Sequence, residues 1–122
     1  MPFQALIVDD DPSSRFIYSQ VLANSGFELI EADDGVRALE LLRTHTPKLI
    51  VLDMLLPRIQ GTVVLDYIYN DPRLSDSHVI VVTAHDSYRD LLLRSGDSFL
   101  LKPVPPKDIR DAALRLVYSS SP

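Results

Sequence analysis

The sequence predicts an α/β fold: a doubly wound, mostly parallel five-stranded sheet with helices on both faces. Three observations carry that expectation. Four short apolar runs, Ala5 to Val8, Leu49 to Leu52, Val79 to Val82 and Phe99 to Leu101, are rich in branched residues and too short for helices. They read as strands buried on both faces. Segments with helical spacing lie between them, and turn residues fall at the joints.

In chain order, Ala5 to Val8 is the first strand. Asp11-Pro12 then supplies an N-cap and a first-turn proline for a helix whose stripe is Phe16, Ile17, Val21 and Leu22. Gly26 ends it, and Phe27 to Glu31 alternates enough to suit an edge strand. Gly35 opens a second helix on Val36, Leu39 and Leu42, which leads to the strand Leu49 to Leu52. A third stripe is Val64, Leu65 and Ile68, followed by a polar loop from Asn70 to Ser77 and the strand Val79 to Val82. Tyr88, Leu91 and Leu92 mark a fourth helical segment, with Gly96 before the strand Phe99 to Leu101. Pro105-Pro106 precedes the cleanest helix, with Ile109, Ala112, Ala113, Leu116 and Val117 at i, i+3, i+4, i+7 and i+8. A βα unit repeated five times implies parallel strands, because each crossover must cover a face of the sheet.

Composition sets the frame. At 122 residues the chain is expected to be one domain, spanning 1–122 with a core from about 5 to 117 and a tail or linker start at Ser119 to Pro122. It has no cysteine, which excludes disulfides, thiolate nucleophiles and zinc–cysteine sites. The net charge of −5 argues against direct nucleic-acid binding. No apolar run is long enough to span a membrane and no signal peptide is evident, so the expected compartment is the cytoplasm.

The first strand ends in LIVDDDP, Leu6 to Pro12, with three adjacent carboxylates. Ionised acids repel and resist burial, so they either cap a helix in solvent or hold a cation. Asp11 suits the cap. In an open α/β sheet, ligands bind beyond the carboxyl ends of the strands. Asp9 and Asp10 end strand 1, Asp53 ends strand 3, Thr83 ends strand 4 and Lys102 ends strand 5. Each alone suits ordinary turn chemistry; together they converge on one rim. Clustered carboxylates attract a hard divalent cation such as Mg²⁺, with Mn²⁺ as the alternative ion, and a lysine and a hydroxyl can hold anionic oxygens. A carboxylate among them is equipped to accept a phosphoryl group.

These residues make the chain resemble the receiver domains of two-component response regulators, the CheY-like family, over about Ala5 to Val117. The resemblance implies a flavodoxin-like sheet of order 2-1-3-4-5. It implies Asp53 as phosphoacceptor, Asp10 and Asp9 as Mg²⁺ ligands (Asp9 mainly through water) and the Leu55 carbonyl as a further ligand. Thr83 and Lys102 would contact phosphoryl oxygens, and Phe99 would be the aromatic switch that follows Thr83. Leu56-Pro57 and Gly61 match the loop after the acceptor, and Lys102-Pro103 matches a pair whose peptide bond is typically cis. The partners implied are a sensor histidine kinase or phosphotransfer protein as donor, and a downstream protein or C-terminal output domain as target. The family is not enzymatic beyond its own Mg²⁺-dependent phosphorylation and dephosphorylation.

The chain departs from this pattern between Thr83 and Lys102, where it is short by about one helical turn. The fourth helix, Ser87 to Ser95, should therefore be short or shifted. Leu55 places an apolar side chain over the site and is expected to restrict the attacking water and lengthen the life of an aspartyl phosphate. A faster dephosphorylation of Leu55→Asn would bear that out. His85 either donates to the phosphoryl group or orients water. His45 and His78 lack metal-ligand spacing and are expected at the surface, and Tyr67, Tyr69 and Tyr88 in helix packing or at the surface. Two other readings compete. A haloacid-dehalogenase-type phosphatase needs a second Asp two residues after the nucleophile, where this chain has Leu55, and no glycine-rich phosphate loop is present. A degenerate receiver would act only as a protein-interaction module, against which the retained Asp9, Asp10, Asp53, Thr83 and Lys102 speak.

Overall fold

A computed structural model describes residues 2–92, 94 and 97–119. The expectations placed on Ser95, Gly96 and the tail residues 120–122 lie outside the described residues. The strands are β1 (Gln4–Val8), β2 (Glu28–Ala32), β3 (Leu49–Asp53), β4 (His78–Thr83) and β5 (Ser98–Leu101). The helices are α1 (Pro12–Asn24), α2 (Gly35–Thr44), α3 (Gly61–Asn70) and α4 (Pro106–Ser119), with 3-10 segments at Pro72–Leu74 and Asp86–Leu91. The sheet is parallel throughout, in the order β2-β1-β3-β4-β5. The chain therefore has the flavodoxin-like doubly wound topology.

Side chains alternate across each strand, so the central strands feed two cores. Leu6, Val8, Ile50, Leu52, Val79 and Val81 face α2 and α3, where they meet Ala38, Leu42, Val64, Leu65 and Ile68. Ala5, Ile7, Leu49, Val51, Ile80 and Val82 face α1 and α4, meeting Tyr18, Leu22, Ile109, Ala113 and Leu116. Burial on both faces is why β1, β3 and β4 read as continuous apolar runs. Asp11 caps α1 by accepting the Ser13 N–H, and Asp34 caps α2 by accepting that of Arg37. Gly26, at φ +95°, closes α1: the Phe27 N–H reaches back to the Leu22 carbonyl at 3.0 Å, a wrap that needs the left-handed region.

Three expectations need correction. In α1, Phe16 and Ile17 are 64% and 44% exposed, while Tyr18 and Leu22 are buried. The apolar residues of this helix spread too widely for spacing to fix its phase, and contact with β1 and α4 fixes it one residue on. In β5, Leu101 is 46% exposed, because this strand is an edge rather than a doubly covered strand. The fourth helical segment is short, as expected, but it is a 3-10 segment over Asp86–Leu91 rather than a helix over Ser87 to Ser95. Only fourteen residues separate Thr83 from Ser98, and they must return along the length of the sheet. A 3-10 segment gains about 2.0 Å per residue against 1.5 Å for an α-helix, so a short connection reaches further in that form.

Two side chains secure the far end of this crossover. Arg94 donates to the Ser77 carbonyl at 2.8 Å and the Ile68 carbonyl at 3.1 Å, with its guanidinium 4.8 Å from the Tyr69 ring centre. Asp97 accepts the Val79 N–H at 3.0 Å and the Tyr69 hydroxyl at 2.9 Å. Tyr69 is thus a packing aromatic that also holds this strap. Tyr67 and Tyr88 pack against the α2–α3 core.

Candidate functional site

Register builds the site. Val8 pairs with Leu52, so the next residues, Asp9 and Asp53, emerge side by side. Thr83 pairs with Leu101 at the end of β4 and β5, and the Lys102 N–H extends that ladder to the Thr83 carbonyl at 2.8 Å. The Lys102–Pro103 bond that follows is cis. Lys102 Nζ then spans the rim, donating to Asp53 Oδ2 at 2.9 Å and Asp9 Oδ2 at 3.1 Å.

Asp9, Asp53 and Thr83 are buried, whereas Asp10 is exposed. Asp9, Asp10 and Asp53 each bring a carboxylate oxygen within 4.8 Å of the others. Backbone amides hold two of these acids from the side away from the lysine: Asp11 N–H donates to Asp9 Oδ1 at 2.9 Å, and Leu55 N–H to Asp53 Oδ1 at 3.0 Å. Burial pushes the Asp9 carboxyl above its ordinary pKa, against the lowering effect of the Asp11 amide and Lys102. Burial also opposes the charge on Lys102, but its bonds to Asp53 and Asp9 outweigh that and raise its pKa. Three acids against one lysine leave a local excess of negative charge in an all-oxygen donor set. That is the environment a hard divalent cation takes, so the residues fit Mg²⁺ or Mn²⁺.

Gly61 brings the start of α3 beneath this corner. A Cβ there would lie 2.5 Å from Met54 Cα and 2.6 Å from the Asp53 carbonyl oxygen, so the close approach requires glycine. Pro57 is exposed in the same loop, where its carbonyl accepts the Ile59 N–H at 2.8 Å across Arg58 at φ 71°. The Leu55 side chain is 48% exposed at the rim. His85 is exposed and meets Thr83 through its backbone, its N–H lying 3.3 Å from Thr83 Oγ1. Phe99 is half-buried under Arg89, whose guanidinium carbon stands 4.5 Å from its ring centre. His45 and His78 are partly exposed; they precede β3 and open β4, at the other end of the strands.

Sequence reasoning missed Arg15. Its guanidinium donates to the Asp9 carbonyl at 2.8 Å, and its Nε lies 3.2 Å from Glu31 Oε1. The available signal was its position in the first turns of α1, since helical side chains lean towards the N-terminus. Among the described residues no helix is long and apolar enough to cross a membrane.

Comparison with known proteins agrees with this geometry. The polar-differentiation response regulator DivK of Brucella anthropi is 33% identical over 107 residues, covering 85% of this chain and 87% of DivK. Response regulator MprA of a Mycobacterium species is 32% identical over the whole chain, which spans 54% of MprA. The regulator of RpoS of Escherichia coli is 35% identical over 96% of the chain but only 35% of its own length. Among solved structures, the Mn²⁺-bound response regulator Rcp1 superposes with a TM-score of 0.82 at 25% identity, covering 98% of each chain. CheY4 of Vibrio cholerae shares the fold, with a TM-score of 0.84 at 21% identity over 95% of this chain and 99% of its own. The family profile described as response regulator receiver domain matches residues 5–114, the span that carries every rim residue above, and the chain belongs to that family.

Proposed function

We propose that Asp53 is the phosphoacceptor of this receiver and that the donor is a phosphohistidine on a sensor histidine kinase or phosphotransfer protein. The observation that carries this reading is Lys102 Nζ bridging Asp53 and Asp9 within a group of three converging carboxylates. An Asp53 carboxylate oxygen attacks phosphorus, the P–N bond to the donor histidine breaks, and an aspartyl phosphate forms. The Leu55 N–H and Lys102 hold the Asp53 carboxylate from two sides, so its orientation is set before the donor arrives. Lys102 then offers its ammonium to a phosphoryl oxygen. The Thr83 hydroxyl oxygen accepts the His85 N–H and keeps its own proton free to donate to another.

Asp10, Asp9, Asp53 and the Leu55 carbonyl would hold Mg²⁺, or Mn²⁺, which neutralises charge between acceptor and donor. That Rcp1, a neighbour in fold, has a Mn²⁺-bound form supports the binding of a divalent ion here. Leu55 at the rim limits the approach of water, and His85, two residues past Thr83, is the second residue proposed to act on it. As Thr83 turns towards the phosphoryl group, Phe99 moves, and the crossover around Asp86–Leu91 shifts between two arrangements. Output passes to a downstream protein or to a C-terminal domain, as the greater length of MprA and the regulator of RpoS suggests.

Intact mass after incubation with acetyl phosphate and Mg²⁺ tests the assignment. One phosphoryl adduct is expected, absent in Asp53→Asn. An adduct that persists in the variant would move the acceptor elsewhere, and none with any donor would leave a protein-binding module.

A further inference from the structure

We propose that Arg15, paired with Glu31, is a positioning residue that sets the divalent-cation affinity of the acid corner. The inference rests on the reading that Asp9, Asp10 and Asp53 hold such a cation. Arg15 reaches no reacting atom. Its guanidinium donates to the carbonyl oxygen of Asp9, which belongs to the peptide joining Asp9 to Asp10.

Asp9 itself is secured several times over. Its N–H donates to the Ala32 carbonyl at 3.2 Å, and its carboxylate is held by the Asp11 N–H and by Lys102. Asp10 is different: its side chain is exposed, and its direction follows from the peptide plane that precedes it. That plane is what Arg15 grips. A freely turning Asp9–Asp10 peptide would swing the Asp10 carboxylate away from the oxygens it must converge with, and ordering it again would cost binding free energy.

The second part of the device is charge. A guanidinium beside a cation site opposes the incoming ion, so the grip of Arg15 carries an electrostatic cost. Glu31, on β2, offsets it at 3.2 Å. The side chains of Arg15 and Glu31 are 21% and 46% exposed and border an open hollow with Asp33, Asp34 and Arg58, so dissolved salt reaches the pair and screens the charge. The hydrogen bond to the peptide carbonyl is a geometric restraint that salt does not remove. The two roles therefore separate by ionic strength.

Calorimetric titration of the chain with Mg²⁺ decides the matter, using wild type, Asp10→Asn, Arg15→Ala, Arg15→Lys and Glu31→Gln at low salt and at about 1 M salt, where the Debye length is about 3 Å. Arg15→Ala should weaken Mg²⁺ binding about 10-fold at about 1 M salt, where only the lost grip counts, and by less at low salt, where loss of the guanidinium charge favours the ion. Arg15→Lys should recover part of that loss through one remaining donor. Glu31→Gln should weaken binding only at low salt. With acetyl phosphate, Arg15→Ala should raise the half-saturating Mg²⁺ concentration and leave the rate at saturating Mg²⁺ unchanged, a split that general loosening of the fold would not give. Wild type that binds no Mg²⁺ would overturn the cation reading and this inference together. Binding lost in Asp10→Asn but unaltered in Arg15→Ala and Glu31→Gln would overturn this inference alone. Should circular dichroism show Arg15→Ala unfolded, unchanged affinity in both Arg15→Lys and Glu31→Gln would overturn it.

Discussion

The acid corner and the β4–β5 crossover lie at one rim of one sheet, yet they are held in opposite ways. At the corner, Ala5 to Val8 and Leu49 to Leu52, which lead to Asp9 and Asp53, are each at most 1% exposed, on strands flanked by strands. Backbone amides and a bridging lysine then fix each carboxylate. At the crossover, a 3-10 segment without a buried residue spans Asp86–Leu91 beside an edge strand, and Arg94 and Asp97 anchor its far end. Rigid support suits groups that must meet a phosphoryl oxygen in a set geometry, and marginal support suits a segment that must change arrangement. Under the proposed function, this contrast assigns chemistry and response to different elements only a few residues apart.

The largest effect should come from removing the lysine that makes the corner cohere. Lys102→Ala leaves Asp9 and Asp53 facing one another, buried and uncompensated. Urea unfolding without Mg²⁺ should show a loss of about 2–4 kcal/mol, below the full cost of a broken buried pair because Lys102 is partly solvated. Added Mg²⁺ should recover much of this by taking over the neutralising role, while phosphorylation by acetyl phosphate stays about 100-fold or more below wild type. Stability indifferent to Mg²⁺ in this variant would break the comparison, because the corner would then not be held by charge. A smaller effect is expected at the other end. Arg94→Ala removes two hydrogen bonds to backbone carbonyls and a stacked guanidinium, costing about 1–3 kcal/mol in urea. It should leave Mg²⁺ affinity within about twofold of wild type, as expected for sites without shared partners. A large change in affinity would show that the strap and the corner are one unit.

What the sequence disclosed follows the same division. The strands β1, β3 and β4 were legible because double burial forces unbroken apolar runs, and the rim residues were legible because strand ends fix where Asp9, Asp53, Thr83 and Lys102 must meet. The burial of Leu101 was misjudged, since an apolar residue on an edge strand looks the same in sequence as one in the centre. The phase of α1 was lost because Phe16, Ile17, Tyr18, Val21 and Leu22 offer more than one apolar stripe, and tertiary contact chooses between them. The crossover was legible in length but not in conformation: a deletion shows that a helix must shrink, not that it will tighten to 3-10. Arg15 escaped for a further reason, since its partner is a backbone carbonyl and no residue type marks it.

The smallest expected effect tests the crossover most directly. Within Asp86–Leu91, the closing bonds from the Tyr88 N–H to the His85 carbonyl and from the Leu92 N–H to the Arg89 carbonyl are both long, at 3.4 Å. Arg89 adds what local order there is, bonding Asp86 Oδ1 at 3.0 Å and lying across Phe99. Both contacts are largely solvated, so Arg89→Ala should change global stability by less than about 1 kcal/mol. Its signature should be local: hydrogen exchange read by mass spectrometry should speed up for the amides of residues 86–92, with β1 and β3 unaffected. Phosphorylation of Asp53 should alter exchange in that same window in wild type. If Arg89→Ala loosened β3 as well, the crossover would be part of the rigid corner, and the separation of chemistry from response would fail.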